Sequence, residues 1–352
     1  MKKWLLFRII PFIRTSFVFS VLFIATIGTG FAQVCGCTDP FAKNHNAEAS
    51  VNDGSCRYAP SRIKAEVLCA LDSLVEGSSS LFHWQDGYWT YNDHLDSCIY
   101  LIDNKNATIV KRLCLNGIPN QDTEEIAQDS LCLYFGDFGN NSGCRKNLQI
   151  LKINKKSIED QSFKIDTIRF SYEDQMDFTP RLHATDFDCE AFVVTADSIY
   201  LFTKQWVSAQ TTVYSLPKTP GDHVARRRET YNVSGLITGA TYIPEYQIVV
   251  LCGYDYDKYY ILSALHPFLI LLYDFKDGSF FSGNKRRLEF PSGTKAQVES
   301  IATSDGLVYY LTSERFKATK MGITFDLPAQ LWRVDLRKYL LPYLKKNQSI
   351  IE

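Results

Sequence analysis

From about residue 76 to residue 335 the chain carries short apolar runs separated by turn-forming clusters, and the runs recur in a fixed order. Each repeat opens on an acid or a threonine followed by small and apolar residues, then a turn, then a strand that ends in polar residues. Glu76-Gly77-Ser78-Ser79 leads to Trp89-Thr90-Tyr91-Asn92-Asp93, and Glu124-Glu125-Ile126-Ala127 leads to Leu133-Tyr134-Phe135-Gly136-Asp137. Glu190-Ala191-Phe192-Val193 leads to Tyr200-Leu201-Phe202-Thr203-Lys204. Thr238-Gly239-Ala240-Thr241 leads to Val249-Val250-Leu251-Cys252-Gly253, and Glu299-Ser300-Ile301-Ala302 leads to Tyr309 through Glu314. Third strands are expected at Cys98–Asp103, Leu148–Ile153, Thr212–Leu216, Leu269–Phe275 and Gln330–Asp335. Fourth strands are expected at Thr108–Leu113, Phe163–Phe170, Arg226–Tyr231 and Arg286–Phe290.

Runs this short, bounded by turn residues, read as strands. Their recurrence at roughly 45 to 60 residues predicts an all-β β-propeller, in which four-stranded units bury their faces against one another. Five units are expected, or six if another lies between Ile63 and Ser80 or within Tyr254 to Pro267. The last repeat has no fourth strand of its own, and Ala65–Ala70 is the segment expected to supply it and close the ring.

The ends change the picture. Lys2, Lys3, Arg8 and Arg14 precede an apolar stretch from Ser16 to Ile27, and small residues follow up to Ala32. A basic start, a short apolar run and small residues predict a secretory signal over 1–32, too short to span a bilayer comfortably at about 20 residues per crossing. Residues 33–60 hold almost nothing apolar and are expected to depend on a Cys37–Cys56 crosslink. The propeller is expected over 61–345, with a polar tail at 346–352.

Ten cysteines suit an exported chain. Besides Cys37–Cys56, the spacing allows Cys98–Cys114 and Cys132–Cys144. A net charge of -1 gives no electrostatic basis for nucleic-acid binding, and Arg226-Arg227-Arg228 reads as a solvated strand face. An extracytoplasmic monomer (periplasmic, surface-bound or secreted) with no membrane span after the signal is the expectation.

In a propeller the first strand of each unit lines the channel and the second returns beside it. Glu76, Glu124, Glu190, Thr238 and Glu299 are therefore expected in one ring at a channel mouth, with Asn92, Asp93, Asp137, Arg145, Lys204 and Glu314 nearby. Carboxylates gathered at one mouth repel unless they bind a cation, share protons or pair with bases. Calcium, held by Glu124, Glu190 and Glu299, is the candidate metal, with Lys204, Arg145 and water as alternative neutralisers. Equally, each glutamate could simply cap backbone groups where its unit begins.

Two resemblances follow from these strings. Gly36-Cys37-Thr38-Asp39-Pro40 through Asp53-Gly54-Ser55-Cys56 resembles a short element common in exported proteins of the Bacteroidota. Trp89-Thr90-Tyr91-Asn92-Asp93, then Asp122-Thr123-Glu124-Glu125-Ile126-Ala127, then Gly136-Asp137-Phe138-Gly139-Asn140-Asn141 with Arg145, resemble the W-T-x-N-D, D-W-E-D-I-A and G-D-I-G-D-N…R motifs of a largely uncharacterised family of exported bacterial propellers. Cys189-Glu190-Ala191, Thr238-Gly239-Ala240 and Val298 through Ala302 continue the resemblance in order, while Thr123, Asn141 and His94 depart from it. The resemblance implies the fold and export, and little chemistry.

A binding or scaffold protein that presents the channel mouth to a ligand, peptide or glycan is the leading expectation. Trp84, Trp89, Trp206 and Tyr254 are candidate stacking surfaces. The alternative is a metal-dependent hydrolase, lactonase-like or phosphoesterase-like, with an acid or histidine handling the proton. No nucleophile elbow or HExxH motif is present, and His94 and His183 are the histidines nearest the repeats' polar ends.

Overall fold

The computed structural model describes residues 33–351 apart from positions 86, 94–95, 116, 161, 163, 257–264, 277 and 321. The signal segment and His94 therefore lie outside the described residues. A parallel pair, β1 (Cys35–Gly36) and β2 (Val51–Asn52), sits in the N-terminal element, and β3 (Ala65–Ala70) follows it.

Among the described residues, five four-stranded antiparallel units then fill the chain. The first holds β4 (Ser78–Trp84), β5 (Gly87–Asn92), β6 (Cys98–Ile102) and β7 (Ile109–Cys114). The second holds β8 (Thr123–Gln128), β9 (Cys132–Asp137), β10 (Leu148–Asn154) and, after the short helix α1 (Lys155–Glu159), β11 (Asp166–Tyr172). β12 (Asp188–Val194), β13 (Ser198–Lys204), β14 (Gln210–Pro217) and β15 (Gly221–Asn232) make the third. β16 (Leu236–Ile243), β17 (Ile248–Tyr254), β18 (Pro267–Tyr273) and β19 (Asn284–Glu289) make the fourth. The fifth starts with β20 (Gln297–Thr303) and β21 (Val308–Glu314), continues through a hairpin of β22 (Phe316–Lys320) and β23 (Ile323–Leu327), and returns as β24 (Gln330–Asp335). Its fourth strand is β3, paired antiparallel with β24 so that Ala70 faces Gln330.

The first strands β4, β8, β12, β16 and β20 touch in a closed cycle, which gives the all-β, propeller-like ring. One pairing goes beyond that plan. The outer strands β11 and β15 run parallel and hydrogen-bonded, merging the second and third units into one eight-stranded sheet.

The near-continuous apolar strands follow from burial of both sheet faces. On β9, Leu133 and Phe135 pack into the core shared with the first unit, while the alternate residue Tyr134 packs into the core shared with the third. Five such cores separate the five units. Trp84 and Trp89 lie in the core between the first and second units, so they are packing residues rather than a ligand platform.

Beyond β24 the chain turns into a helix. Helix α2 (Arg337–Ile351) buries Leu340 and Leu344 against the core between the fourth and fifth units. No helix among the described residues is long and apolar enough to cross a membrane.

Disulfides join Cys37 to Cys56 and Cys98 to Cys114. The expected Cys132–Cys144 bond is absent, and both thiols are free. Cys132 opens β9, whereas Cys144 lies in the loop beyond its other end, so the strand itself holds them apart. The N-terminal element is docked rather than tethered. Asn52 Nδ2 reaches Asn284 Oδ1 at 3.0 Å and Asp274 Oδ2 at 2.8 Å, and Lys285 Nζ donates to the Gly54 carbonyl at 3.0 Å.

Candidate functional site

Every first strand carries a β-bulge at the same place. The pairing with the second strand skips one residue between Ser78 and Ser80, Thr123 and Glu125, Cys189 and Ala191, Ile237 and Gly239, and Val298 and Ser300. The skipped residues are Ser79, Glu124, Glu190, Thr238 and Glu299. A bulge leaves its extra residue out of the ladder and re-aims its side chain.

Two of the five stitch the ring. Ser79 Oγ donates to the Thr123 carbonyl at 2.9 Å, and Thr238 Oγ1 donates to the Val298 carbonyl at 2.5 Å, each to the same position of a neighbouring first strand. The other three are the buried glutamates Glu124, Glu190 and Glu299. Glu76 is not in this ring. It caps a short turn of 3-10 helix (Ser73–Val75) and faces Arg315 at the rim, half-exposed, at 3.3 Å.

The second strands contribute at the same level. Just past the residue opposite each bulge stand Asp93, Lys204, Tyr254 and Glu314, while Phe138 fills that place in the second unit with an apolar ring. Lys204, almost fully buried, places Nζ 2.5 Å from both oxygens of Glu190. Its ammonium also lies 4.7 Å from the Trp206 ring and 5.6 Å from the Tyr254 ring. Burial opposes its charge, but Glu190, Tyr254 and Glu299 outweigh burial and hold the lysine protonated.

A second cation serves the neighbouring unit. Arg145 Nη2 meets Asp137 Oδ1 at 3.0 Å, and its Nη1 donates to the Gly139 carbonyl at 2.9 Å. Gln149 Nε2 binds the other Asp137 oxygen at 2.9 Å, so Asp137 is a structural carboxylate. Asn92 is buried, donating from Nδ2 to the Leu74 carbonyl at 2.8 Å, while its Oδ1 has no hydrogen-bond partner.

The remaining acids share the mouth. Asp188 accepts from the Asn140 amide at 2.6 Å and from Trp206 Nε1 at 2.8 Å. Asp122 and Glu124 both press against Gly139, where any side chain would collide with Glu124 Oε1 and Asp122 Oδ2. Burial, then Asp188, pushes Asp122 up to about 6. Burial and the neighbouring Glu314 leave Glu299 at about 8, and burial with Asp93 and Glu190 does the same for Glu314. Glu124 is raised well above its ordinary value by burial and by Glu190 and Asp122. Burial and Lys204 push His183 down, and its ring stacks on Trp206 at 3.9 Å.

Chemically, the mouth is a set of oxygen donors with more acid than base. Glu299 Oε1 is buried and has no hydrogen-bond partner. Among the described residues no three acids, histidines or cysteines converge closely enough to hold a metal as they stand. Glu190, expected as a metal ligand, has both oxygens on Lys204.

Asp122 and Asp188 were not anticipated as site residues. The signal was an Asp-x-Glu spacing, Asp122-Thr123-Glu124 and Asp188-Cys189-Glu190, repeated two residues ahead of two bulges.

No family model matches the chain, and no curated protein does. Among solved structures, the PQQ-bound aldose sugar dehydrogenase of Streptomyces coelicolor is 10% identical, with a TM-score of 0.44, over 78% of this chain and 99% of that one. The glutaminyl cyclase of Myxococcus xanthus is 10% identical with a TM-score of 0.43, over 78% and 99%. A gluconolactonase of Xanthomonas campestris is 12% identical with a TM-score of 0.42, over 79% and 95%. At such identities and TM-scores the likeness carries no activity to this chain.

Proposed function

We propose that this chain is an exported, five-bladed propeller that binds its ligand through a cation, calcium foremost, taken up at the acidic channel mouth. One observation carries the proposal. Lys204 is committed to Glu190 and Arg145 to Asp137, yet the buried Glu299 Oε1 still has no hydrogen-bond partner and Glu314 stands beside it. Hard divalent cations take carboxylate and carbonyl oxygens together with water, which is what this mouth offers. Calcium would be held by Glu299, Glu314 and Glu124, with Glu190 left to Lys204. A bound cation would give a peptide or glycan an anchoring point at the cell surface or beyond.

The test uses the processed protein, stripped with a chelator and then titrated with calcium. A saturable rise in melting temperature, stoichiometric bound calcium, and loss of both in a Glu299→Gln/Glu314→Gln double variant are expected. Unchanged stability with no bound metal overturns the proposal.

A second function, hydrolysis, has one observation in its favour. Asp122, at about 6, lies beside Glu124 at the Gly139 cradle, a carboxyl group able to exchange its proton near neutral pH. Calcium would supply Lewis acidity toward an ester or phosphate oxygen. Lactone, phosphoester and aryl-ester substrates, offered with and without calcium, separate the two. Turnover that Glu124→Gln abolishes would establish an enzyme.

A further inference from the structure

A cavity lies at the seam of the N-terminal element, the β18–β19 edge of the fourth unit and helix α2. Its volume is about 180 Å3, room for a group of a few heavy atoms. Most of its wall is ring: Phe41, Tyr273, Tyr339 and Tyr343, with Pro40 and Pro342. Its polar side is acidic, with Asp39 and Asp274.

The two acids differ. Asp39 is buried and saturated, since Oδ1 accepts from the Phe41 amide at 2.9 Å while Oδ2 accepts from Tyr58 and Tyr273 hydroxyls at 2.7 Å each. Asp274 is exposed, and its Oδ2 accepts only from neutral donors, Thr38 Oγ1 at 3.2 Å and Asn52 Nδ2 at 2.8 Å. Among the described residues neither acid forms an ion pair with lysine or arginine. Asp274 is also held at a φ of 58°, a left-handed conformation uncommon outside glycine, asparagine and aspartate.

The same seam already holds two cations by ring faces, one of them the Lys338 ammonium at 5.7 Å from the Tyr339 ring. The Arg286 guanidinium lies 4.9 Å from the Tyr58 ring and 4.6 Å from the Tyr339 ring, and its Nε is buried with no hydrogen-bond partner. Ring faces attract cations through their negative quadrupole, and the attraction strengthens where water is excluded. Tyr339 thus has Arg286 and Lys338 against it and also lines the cavity, while Tyr343 meets Tyr273 at 5.0 Å and Phe41 is half-exposed in its wall.

We propose that this cavity binds a small organic ammonium ion, its charge facing Asp274 and its alkyl groups against Phe41, Tyr339 and Tyr343. Pockets of this make-up, mostly apolar with a few placed polar groups, are where small ligands are held. A neutral sugar or polyol would use the rings but gain nothing from the uncompensated Asp274 charge, so charge is the property that decides between ligands. The site shares no residue with the channel mouth and stands or falls apart from the calcium proposal.

The probes are choline, n-butylamine and 3,3-dimethylbutan-1-ol, the uncharged isostere of choline, with glucose as a sugar control, titrated by calorimetry into the processed protein. Expected are saturable binding of choline or n-butylamine, at least tenfold tighter than the isostere or glucose, and unchanged binding in Glu299→Gln. Asp274→Asn keeps the acceptor oxygen and tolerates the left-handed backbone, and it should weaken ammonium binding at least tenfold. Phe41→Ala, at an exposed position, should do the same without loss of melting temperature. Choline vesicle lipids added in place of free choline separate the sources: binding to phosphatidylcholine vesicles that Asp274→Asn abolishes supports a headgroup, and binding of free choline alone supports a solute. Equal affinity for the isostere or glucose, no binding of either ammonium, or wild-type affinity in Asp274→Asn overturns the proposal.

Discussion

Glu125 Oε2 accepts a hydrogen bond from the Ala240 amide at 3.0 Å, although their strands, β8 and β16, belong to units that are not consecutive. The side chain therefore crosses the channel. Its other oxygen takes the Ile126 amide at 3.2 Å and the Ser80 hydroxyl at 3.3 Å. The bulge at Glu124 explains why two successive glutamates have different fates: one is turned to the mouth, and the next is a plug beneath it.

Burial raises the Glu125 carboxyl well above its ordinary range, against the pull of its hydrogen bonds, and so favours its neutral form. A glutamine fills the same space but keeps only one acceptor oxygen for the Ile126 and Ala240 N–H groups. Glu125→Gln, which leaves one of those N–H groups facing a donor, is expected to cost about 1–2 kcal/mol in urea denaturation, whereas Glu125→Ala, which strands both and leaves a void, should cost about 3 kcal/mol or more. Equal losses in the two variants would mean that the carboxyl is ionised.

The Lys204–Glu190 pair is buried on both sides, with about 4% exposure for each side chain. Removing one member of such a pair leaves an uncompensated charge, a loss of about 3–5 kcal/mol. Lys204→Met should show that loss, and Lys204→Met/Glu190→Gln should recover a good part of it. A double-mutant cycle read by urea denaturation checks the coupling. Strict additivity of the two single variants would show that the pair is not coupled.

Much of the ring was legible because each unit buries both faces. That forces short apolar strands between turns, and a strand such as Ala65–Ala70 stands out even when it must close the ring from the far end of the chain. Glu124, Glu190 and Glu299 were legible as acids standing just ahead of an apolar run, a place Thr238 takes in the fourth unit. Glu76 misled because Glu76-Gly77-Ser78-Ser79 mimics that string, while the equivalent position three residues on is Ser79, which no charge marks. Glu125 was illegible as a plug, since Glu124-Glu125 gives no hint that a bulge separates them. The docking of the N-terminal element on Asn284 and Lys285 left no trace either: its contacts are single polar groups more than 200 residues away, and polar contacts carry no periodicity.

The Cys98–Cys114 bond joins directly opposed residues of β6 and the edge strand β7 and spans 16 residues. A loop of about that length should contribute roughly 3 kcal/mol by restricting the unfolded chain. Replacing both cysteines by serine is expected to lower stability by about that amount while leaving calcium uptake at the mouth intact. Unfolding followed by circular dichroism, with calcium binding measured on the same variant, checks both parts.

Stability should fall as pH rises through neutrality. Asp122 stands at about 6 against an ordinary 3.8, and Glu299 and Glu314 stand at about 8 against 4.5. With folded values above unfolded ones, the folded chain binds more protons between the two, so the unfolding free energy declines with pH across that window. The contribution of these groups is fully present below roughly pH 4 and lost as pH passes from about 5 through about 8. Melting temperatures measured in chelator across this range should therefore drop toward pH 8 and flatten beyond it. Glu299→Gln/Glu314→Gln has nothing to ionise at those two positions and should show a visibly shallower slope. Calcium added at pH 8 should restore wild-type stability and leave the double variant unmoved, because a cation favours the ionised carboxylates that proton loss creates. A wild-type profile that rises with pH would place these carboxylates in a mouth already neutralised by groups other than protons.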